Sequence, residues 1–249
     1  MRLGEQAWPD ADDALTASSL ALVPVGSTEQ HGPHAPLGTD HLTAGAVADA
    51  GADRYDDPVA VTPAIPIGVS EEHRQFTGTL WVSPDTFREY VRETVESLLH
   101  HGWERIVLVN GHGGNTDALQ EIARRLTRRR PALVAAFTWF DEVGEHSSLM
   151  GHGGPLETAV MRHAHPSLIN EDRIDTAREG ASDRWGDWQG RVNLAVDSAE
   201  FTDNGVVGDP TDGDAAFGEE LLTAAGESLA ALLDRLADRD LDRPPHKRE

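Results

Sequence analysis

Four short apolar runs, at residues 20–25, 59–67, 105–110 and 132–137, alternate with segments of helical periodicity. That alternation narrows the fold more than any other feature of the chain. Runs of this length bounded by turn residues read as strands. Strands separated by helices predict a three-layer αβα domain, a mainly parallel central sheet covered by helices on both faces. Ser83-Pro84-Asp85 has a capping side chain, a first-turn proline and an early acid, the marks of a helix start. Phe87, Val91, Val95 and Leu98 then form one apolar face that ends near Gly102. Leu119, Ile122 and Leu126 mark a second helix, with Asn115 or Thr116 as its cap. Leu222, Ala225, Leu229, Leu232 and Leu236 mark a long C-terminal one. At 249 residues the chain can bury a substantial core. With no repeat and no linker, residues 1–239 read as one domain, and 240–249, with Pro244-Pro245, as a frayed tail.

In open α/β sheets the loops beyond the carboxyl ends of the strands form the ligand crevice. GSTEQHGPHAPLGTD follows the first strand. Glu29 and His31, two apart, point the same way on extended chain. His34, Asp40 and His41 follow, with Gly32, Pro33, Pro36 and Gly38 turning the backbone. Acids and an imidazole gathered in this way suit hard or borderline divalent cations. The plain alternative is a set of solvated loop residues with Asp40 capping the next helix. A second cluster in the equivalent loop weighs against it: VNGHGGN projects His112 from a glycine turn. That turn also resembles an anion cradle at a helix start, although no G-K-[ST] follows. In MGHGGPLETAVMRH, His152 is a candidate proton donor and Glu157 a candidate ligand or base; helix-dipole stabilisation alone also explains an acid there. GVSEEHRQFTGTL places Ser70 and His73 between glycines, with Glu71 and Glu72 read as surface acids. No G-x-S-x-G elbow and no H-E-x-x-H occurs. Trp81, Trp103, Trp139, Trp185 and Trp188 read as core, and Trp139, near a strand end, as a pocket-lining residue.

Charge excludes some partners. Against 43 Asp and Glu stand 21 Lys and Arg, a net charge of −22, and Lys247 is the one lysine. No basic stripe exists to displace counterions from nucleic acid. The arginines at 124, 125 and 128–130 end a helix, where a positive charge is favoured. A dispersed acidic, lysine-poor surface suits the cytosol of a salt-accumulating organism, where ionic strength screens self-repulsion. No apolar stretch of membrane-spanning length appears, and the N-terminus lacks a secretory pattern, so cytoplasmic residence is expected. The absence of cysteine removes disulfides, thiolate ligands and cysteine nucleophiles.

In chain order, LVPVGSTEQHGPHAPLGTD, GVSEEHRQFTGTL, IVLVNGHGGN, GHGGPLETAVM and NGVVGDPTDGDAAFGEEL resemble the signature blocks of the creatininase (creatinine amidohydrolase) family. The resemblance implies metal-dependent C–N hydrolysis with two divalent ions, zinc, manganese or iron. One would be held by Glu29, Asp40 and His112, the other by His31 with Asp40 as the bridge. Creatinine-hydrolysing members carry a glutamate where this chain has Gly114, so the second ion needs another ligand, and Glu157 is the candidate. Those members also stack aromatic residues on creatinine shortly before the position of His152; here Ser147, Ser148, Leu149 and Met150 stand there. The GHGGN form resembles two other branches. One comprises archaeal deformylases acting on a formylamino-pyrimidine ribosyl phosphate toward riboflavin and deazaflavin coenzymes; the other comprises peptidases that trim the mycofactocin precursor. The acidic composition favours the deformylases, by analogy alone. The implied roles are His152 protonating the leaving nitrogen, and Ser70 with the amides of Gly113 and Gly114 positioning a small-molecule substrate. A homo-oligomer, often a hexamer, is expected by the same resemblance. Rival readings are a metal-free protein binding an anionic ligand and a phosphoesterase.

Overall fold

In a computed structural model describing residues 1–242, strand β1 (Leu20–Val25) is buried along its whole length. Leu20 and Leu22 join one apolar cluster, while Ala21, Val23 and Val25 join another on the opposite face. A strand covered on both faces must be apolar at every position, which explains the unbroken run. Strand β3 (Arg105–Asn110) divides in the same way, Val107 and Val109 against Ile106 and Leu108. With β2 (Ala60–Val61) and β4 (Leu133–Thr138) these strands form a parallel sheet in the order β2-β1-β3-β4. Helices α2 (Thr39–Arg54), α5 (Pro155–Ala164) and α7 (Ala215–Ala237) cover one face. Helices α3 (Pro84–His101) and α4 (Thr116–Arg129) cover the other. The three-layer αβα arrangement is therefore present.

Helix α3 follows its sequence signals. The Ser83 hydroxyl accepts from the Thr86 amide, and Phe87, Val91, Val95 and Leu98 are its buried residues. Gly102 ends it at φ 112°, donating to the Leu98 and Leu99 carbonyls, a left-handed stop open to glycine. The cap expected on α4 is not made. Asn115 instead accepts from the Val69 amide through Oδ1 (3.0 Å) and donates to the Gly26 carbonyl through Nδ2 (3.0 Å). The side chain thus ties together three loops at the carboxyl end of the sheet.

Three other expectations change. The run at 59–67 pairs as a strand only over Ala60–Val61, with Ile65 making a separate bridge to Val25. Pro63 and Pro66 have no N–H to give a ladder. On α7 the buried face is Leu221, Ala225, Leu229, Leu233 and Leu236, whereas Leu222 and Leu232 are only half-buried. The face is turned because α7 crosses α2 at Gly51, where a Cβ would stand 2.5 Å from Leu229. Of the tryptophans read as core, Trp103 and Trp139 are buried, Trp81 and Trp188 are exposed, and Trp185 is half-buried. A first helix, α1 (Trp8–Ala17), fully buries no residue and rests on the core through half-buried Ala11 and Leu15. Short elements complete the chain: α6 (Ile174–Glu179) and an antiparallel hairpin of β5 (Trp188–Gln189) and β6 (Val192–Asn193). The expected tail lies outside the described residues from 243 onward. Among the described residues no helix is long and apolar enough to cross a membrane.

The turned face of α7 has a measurable consequence. Leu233→Ala, at a fully buried position, should cost about 2–5 kcal/mol in urea denaturation. Leu222→Ala should cost well under half as much; equal losses would put the helix face elsewhere.

Candidate metal centre

The site is assembled where β1 and β3 end. Gly111 follows β3, and a Cβ there would stand 2.1 Å from the Asp40 carbonyl oxygen. Glycine at that point lets the first turn of α2, with Asp40, come against the sheet edge. The loop from β1 folds back through a Glu29 amide bond to the Leu37 carbonyl (2.8 Å), bringing Glu29 and His31 to the same edge. The turn at His112 is closed by Asn110, which accepts from the His112 amide and donates to its carbonyl. His152 enters on an irregular strand paired with Val207. Beyond it, the Gly153 amide donates to Glu157 Oε2 (2.6 Å) from the start of α5. Glu29, His31, Asp40, His112, His152 and Glu157 are all buried.

Two imidazoles are oriented from behind. His31 Nδ1–H donates to the Glu29 carbonyl (3.1 Å) and His112 Nε2–H to the Val69 carbonyl (2.7 Å). The opposite nitrogens then face carboxylates. His31 Nε2 lies 2.9 Å from Asp40 Oδ1 and 3.6 Å from Glu157 Oε1. His112 Nδ1 lies 3.2 Å from Glu29 Oε1 and 3.4 Å from Asp40 Oδ2. A lone pair opposed to a carboxylate is repulsive unless a proton or a cation lies between. Neither oxygen of Glu29, nor Asp40 Oδ2, has a hydrogen-bond partner among the described residues. Buried acids left in this state are what a metal cation satisfies. The donor atoms of Glu29, Asp40 and His112 lie within 4.8 Å of one another, as do those of His31, Asp40 and Glu157, so Asp40 belongs to both sets. Glu29, His31 and His152 form a third combination. Mixed carboxylate and imidazole donors fit a divalent transition metal.

The electrostatics carry the same message. Burial works against charge on His112, yet Glu29, Asp40 and Glu72 raise it to about 10. Burial likewise opposes charge on His31, but Asp40 and Glu157 lift it well above the ordinary value. Burial and the neighbouring Glu29 raise Asp40. His152 goes the other way, lowered to about 4 by burial and by His31. Its Nε2–H is held on the Gln30 carbonyl (2.5 Å), so the free Nδ1 lone pair faces Glu29 Oε1 at 3.7 Å.

Of the expected substrate-binding residues, Gly113 and Gly114 border a cavity of about 610 Å³ with His112, His152 and Glu157. Ser70 does not: it is buried, with its hydroxyl spent on Ser27 (2.7 Å) and the Leu80 carbonyl. Trp139 is also corrected, being fully buried in the core beside α5 and α7, while its neighbour Phe140 borders the cavity. His34 bonds Thr158 and His41 bonds the Ser27 carbonyl, both outside the cation sets. Glu72, read as a surface acid, and Trp185, read as core, belong to the site, and His73, noted between glycines, gains a position there. Glu72 lines the cavity and lies 3.7 Å from His112 Nε2. A Cβ at position 114 would stand 3.1 Å from its carboxylate and 2.3 Å from the Val69 carbonyl oxygen. His73 stacks on His152 at 4.4 Å, and Trp185 packs edge-on over both rings. The adjacency of Glu72 to His73 in SEEH was the one local signal; for Trp185 there was none.

Comparison with known proteins places these features in a family. The family model described as creatininase, creatinine amidohydrolase, matches residues 4–233. A mycofactocin precursor peptide peptidase of Mycobacterium ulcerans is 33% identical over 94% of this chain and 92% of its own. A presumed creatinine amidohydrolase of Bacteroides fragilis superposes with a TM-score of 0.82 at 26% identity, covering 98% of each chain. A creatininase solved with manganese shares the fold at 23% identity, with a TM-score of 0.80 over 96% of this chain and 99% of its own.

Two measurements test the centre. If each of the two donor sets takes an ion, Asp40→Ala should abolish uptake at both in elemental analysis, whereas Glu157→Ala should affect one. The second concerns pH. In chelated protein His112 holds its proton up to about 10, against about 6.5 when unfolded. Its stabilising contribution is therefore complete below about 6.5 and lost as pH rises towards 10. Scanning calorimetry should show that loss flattened in His112→Ala, and metal affinity of the wild type should rise over the same interval.

Proposed function

The chain belongs to the creatininase family and is a hydrolase of C–N bonds; from that premise we propose that it cleaves an amide in a short peptide-like substrate, using two divalent cations. Glu29, Asp40 and His112 hold one, and His31, Asp40 and Glu157 hold the other. The observation that carries this reading is Asp40, shared by two sets of buried donors whose lone pairs face one another. When bound, such cations would polarise a carbonyl oxygen and lower the pKa of water towards about 7. Glu157 is assigned as a ligand rather than a base, because the Gly153 amide already aims its carboxylate at His31. His152 moves the proton. Burial keeps its ring neutral with Nδ1 free, so the ring takes a proton at Nδ1 and hands it to the leaving nitrogen.

The cavity wall supports a peptide-like substrate. Phe140, Leu149, Met150 and Trp185 give its lining apolar surface, and Glu72, Asp183, Asp209 and Asp212 give it acid. An apolar side chain and an amino group match that lining better than a phosphate does, and the Mycobacterium ulcerans relative acts on a peptide. Deformylation of a formylamino-pyrimidine ribosyl phosphate is the second reading, favoured by Arg184 in the same lining. Exposed Leu80, Trp81, Val192, Leu194 and Val196 support the expected self-association, which light scattering measures. The acidic, lysine-poor composition supports a salt-rich cytoplasm as the working environment.

Metal-loaded protein in high salt should release amine from a short peptide. Formate from the ribotide with no peptide cleavage would select the second reading, and phosphate release alone would overturn C–N hydrolysis. His152→Ala should keep both metal ions in elemental analysis while losing at least about 100-fold in kcat.

A further inference from the structure

His73 is a buried group that the proposed chemistry leaves unused. It ends the turn Glu71–His73 and is fully enclosed. Its Nδ1 accepts from Gln30 Nε2 at 2.8 Å. The orientation of Gln30 is settled by its other bonds: Oε1 accepts from the Gly32 amide, and Nε2 also donates to the Gly205 carbonyl. The Ser198 hydroxyl stands 2.9 Å from the same ring nitrogen but gives its proton to the Glu72 carbonyl (2.8 Å), so Gln30 is the donor to Nδ1. The ring proton therefore sits on Nε2, which has no hydrogen-bond partner among the described residues and lies 3.5 Å from Glu29 Oε1. A histidine present only to fill space has no need of an N–H turned towards an acid. Leaving that N–H unmet in the interior costs free energy, which closer approach of the carboxylate would recover.

We propose that His73 is a positioning residue for Glu29: held from outside by the Gln30 amide, with Ser198 packed beside it, it presents Nε2–H to the carboxylate and sets its orientation for the cation. The inference rests on the metal centre proposed above. Outer partners of this kind orient ligands and tune metal affinity. Here that hold draws on three separated segments, the β1 loop at Gln30, the turn at His73 and the 198–205 stretch, so the ligand's aim depends on how those segments pack.

The test separates ring from donor. His73→Phe keeps a ring against His152 but removes the N–H, whereas His73→Gln restores an amide donor without the ring. Mn2+ titrated into each by calorimetry should bind the tighter site about 10- to 100-fold more weakly in His73→Phe, with His73→Gln recovering most of the loss. A crystal structure of metal-free His73→Phe should show the Glu29 carboxylate drawn away from His112. Wild-type affinity with Glu29 unmoved overturns the proposal. If the wild type itself takes up no Mn2+, the metal-centre reading falls, and the carboxylate alone decides: displaced in His73→Phe it supports the role of His73, unmoved it refutes it. Should His73→Phe not fold, His73→Leu is compared with His73→Gln by the same two readouts.

Discussion

Buried negative charge without a basic side chain is the constraint on which this structure turns. Glu29, Asp40 and Glu157 converge out of water, and the groups facing them are imidazoles rather than Arg or Lys. Charge placed in such a setting must be compensated, because desolvation penalises each ion heavily. The fold answers by orienting the imidazoles from behind with main-chain carbonyls, which leaves their inner nitrogens available. Protons can occupy that space in the isolated chain and cations can replace them. The raised His31 and His112 and the unmet oxygens of Glu29 and Asp40 are two expressions of one deficit.

The parallel sheet makes this arrangement possible. Neighbouring strands run the same way, so the loops after β1 and β3 emerge at one edge, and both sides of the core are closed by helices. Asn115 then binds the loops to one another rather than capping its helix. Helix start and loop junction thus compete for the same side chain, and the junction prevails. Polar groups that bind loops around a site are often worth more in place than they would be as caps, since each satisfies two buried main-chain partners.

Much of this was legible in the sequence, and the reason is locality. The α3 face, its Ser83 cap and its Gly102 stop depend on residues within a few turns, and periodicity reports them directly. The gathering of Glu29, His31 and Asp40 was legible because they are close in sequence, and His112 because it lies in a marked glycine turn; their division into two sets came from the resemblance. Glu157, 117 residues beyond Asp40, was not marked by locality; its own segment left ligand or base open, and only the family resemblance with the gap at Gly114 made it a ligand. The failures are long-range. Ser70 had the right chemistry but is claimed by Ser27, 43 residues away. Trp139 sits at a strand end, as expected, yet packing turns it into the core and leaves Phe140 facing the cavity. Trp185 reaches the imidazole stack from a distant segment that no period marks. The α7 face shifted because helix crossing, not helical period, chooses which leucines are covered.

Gly114 carries an implication for how its neighbours can be arranged. A side chain there meets the Val69 carbonyl oxygen, which is also the acceptor that orients His112. Adding an acid at 114 would therefore disturb the aim of a neighbouring ligand at the same time. Glu72 already occupies the adjoining space from another segment. Any side chain at 114 must therefore be accommodated together with the Val69 carbonyl and Glu72. Glycine at 114 and the placing of Glu72 beside it are thus one arrangement, held together by the carbonyl that aims His112.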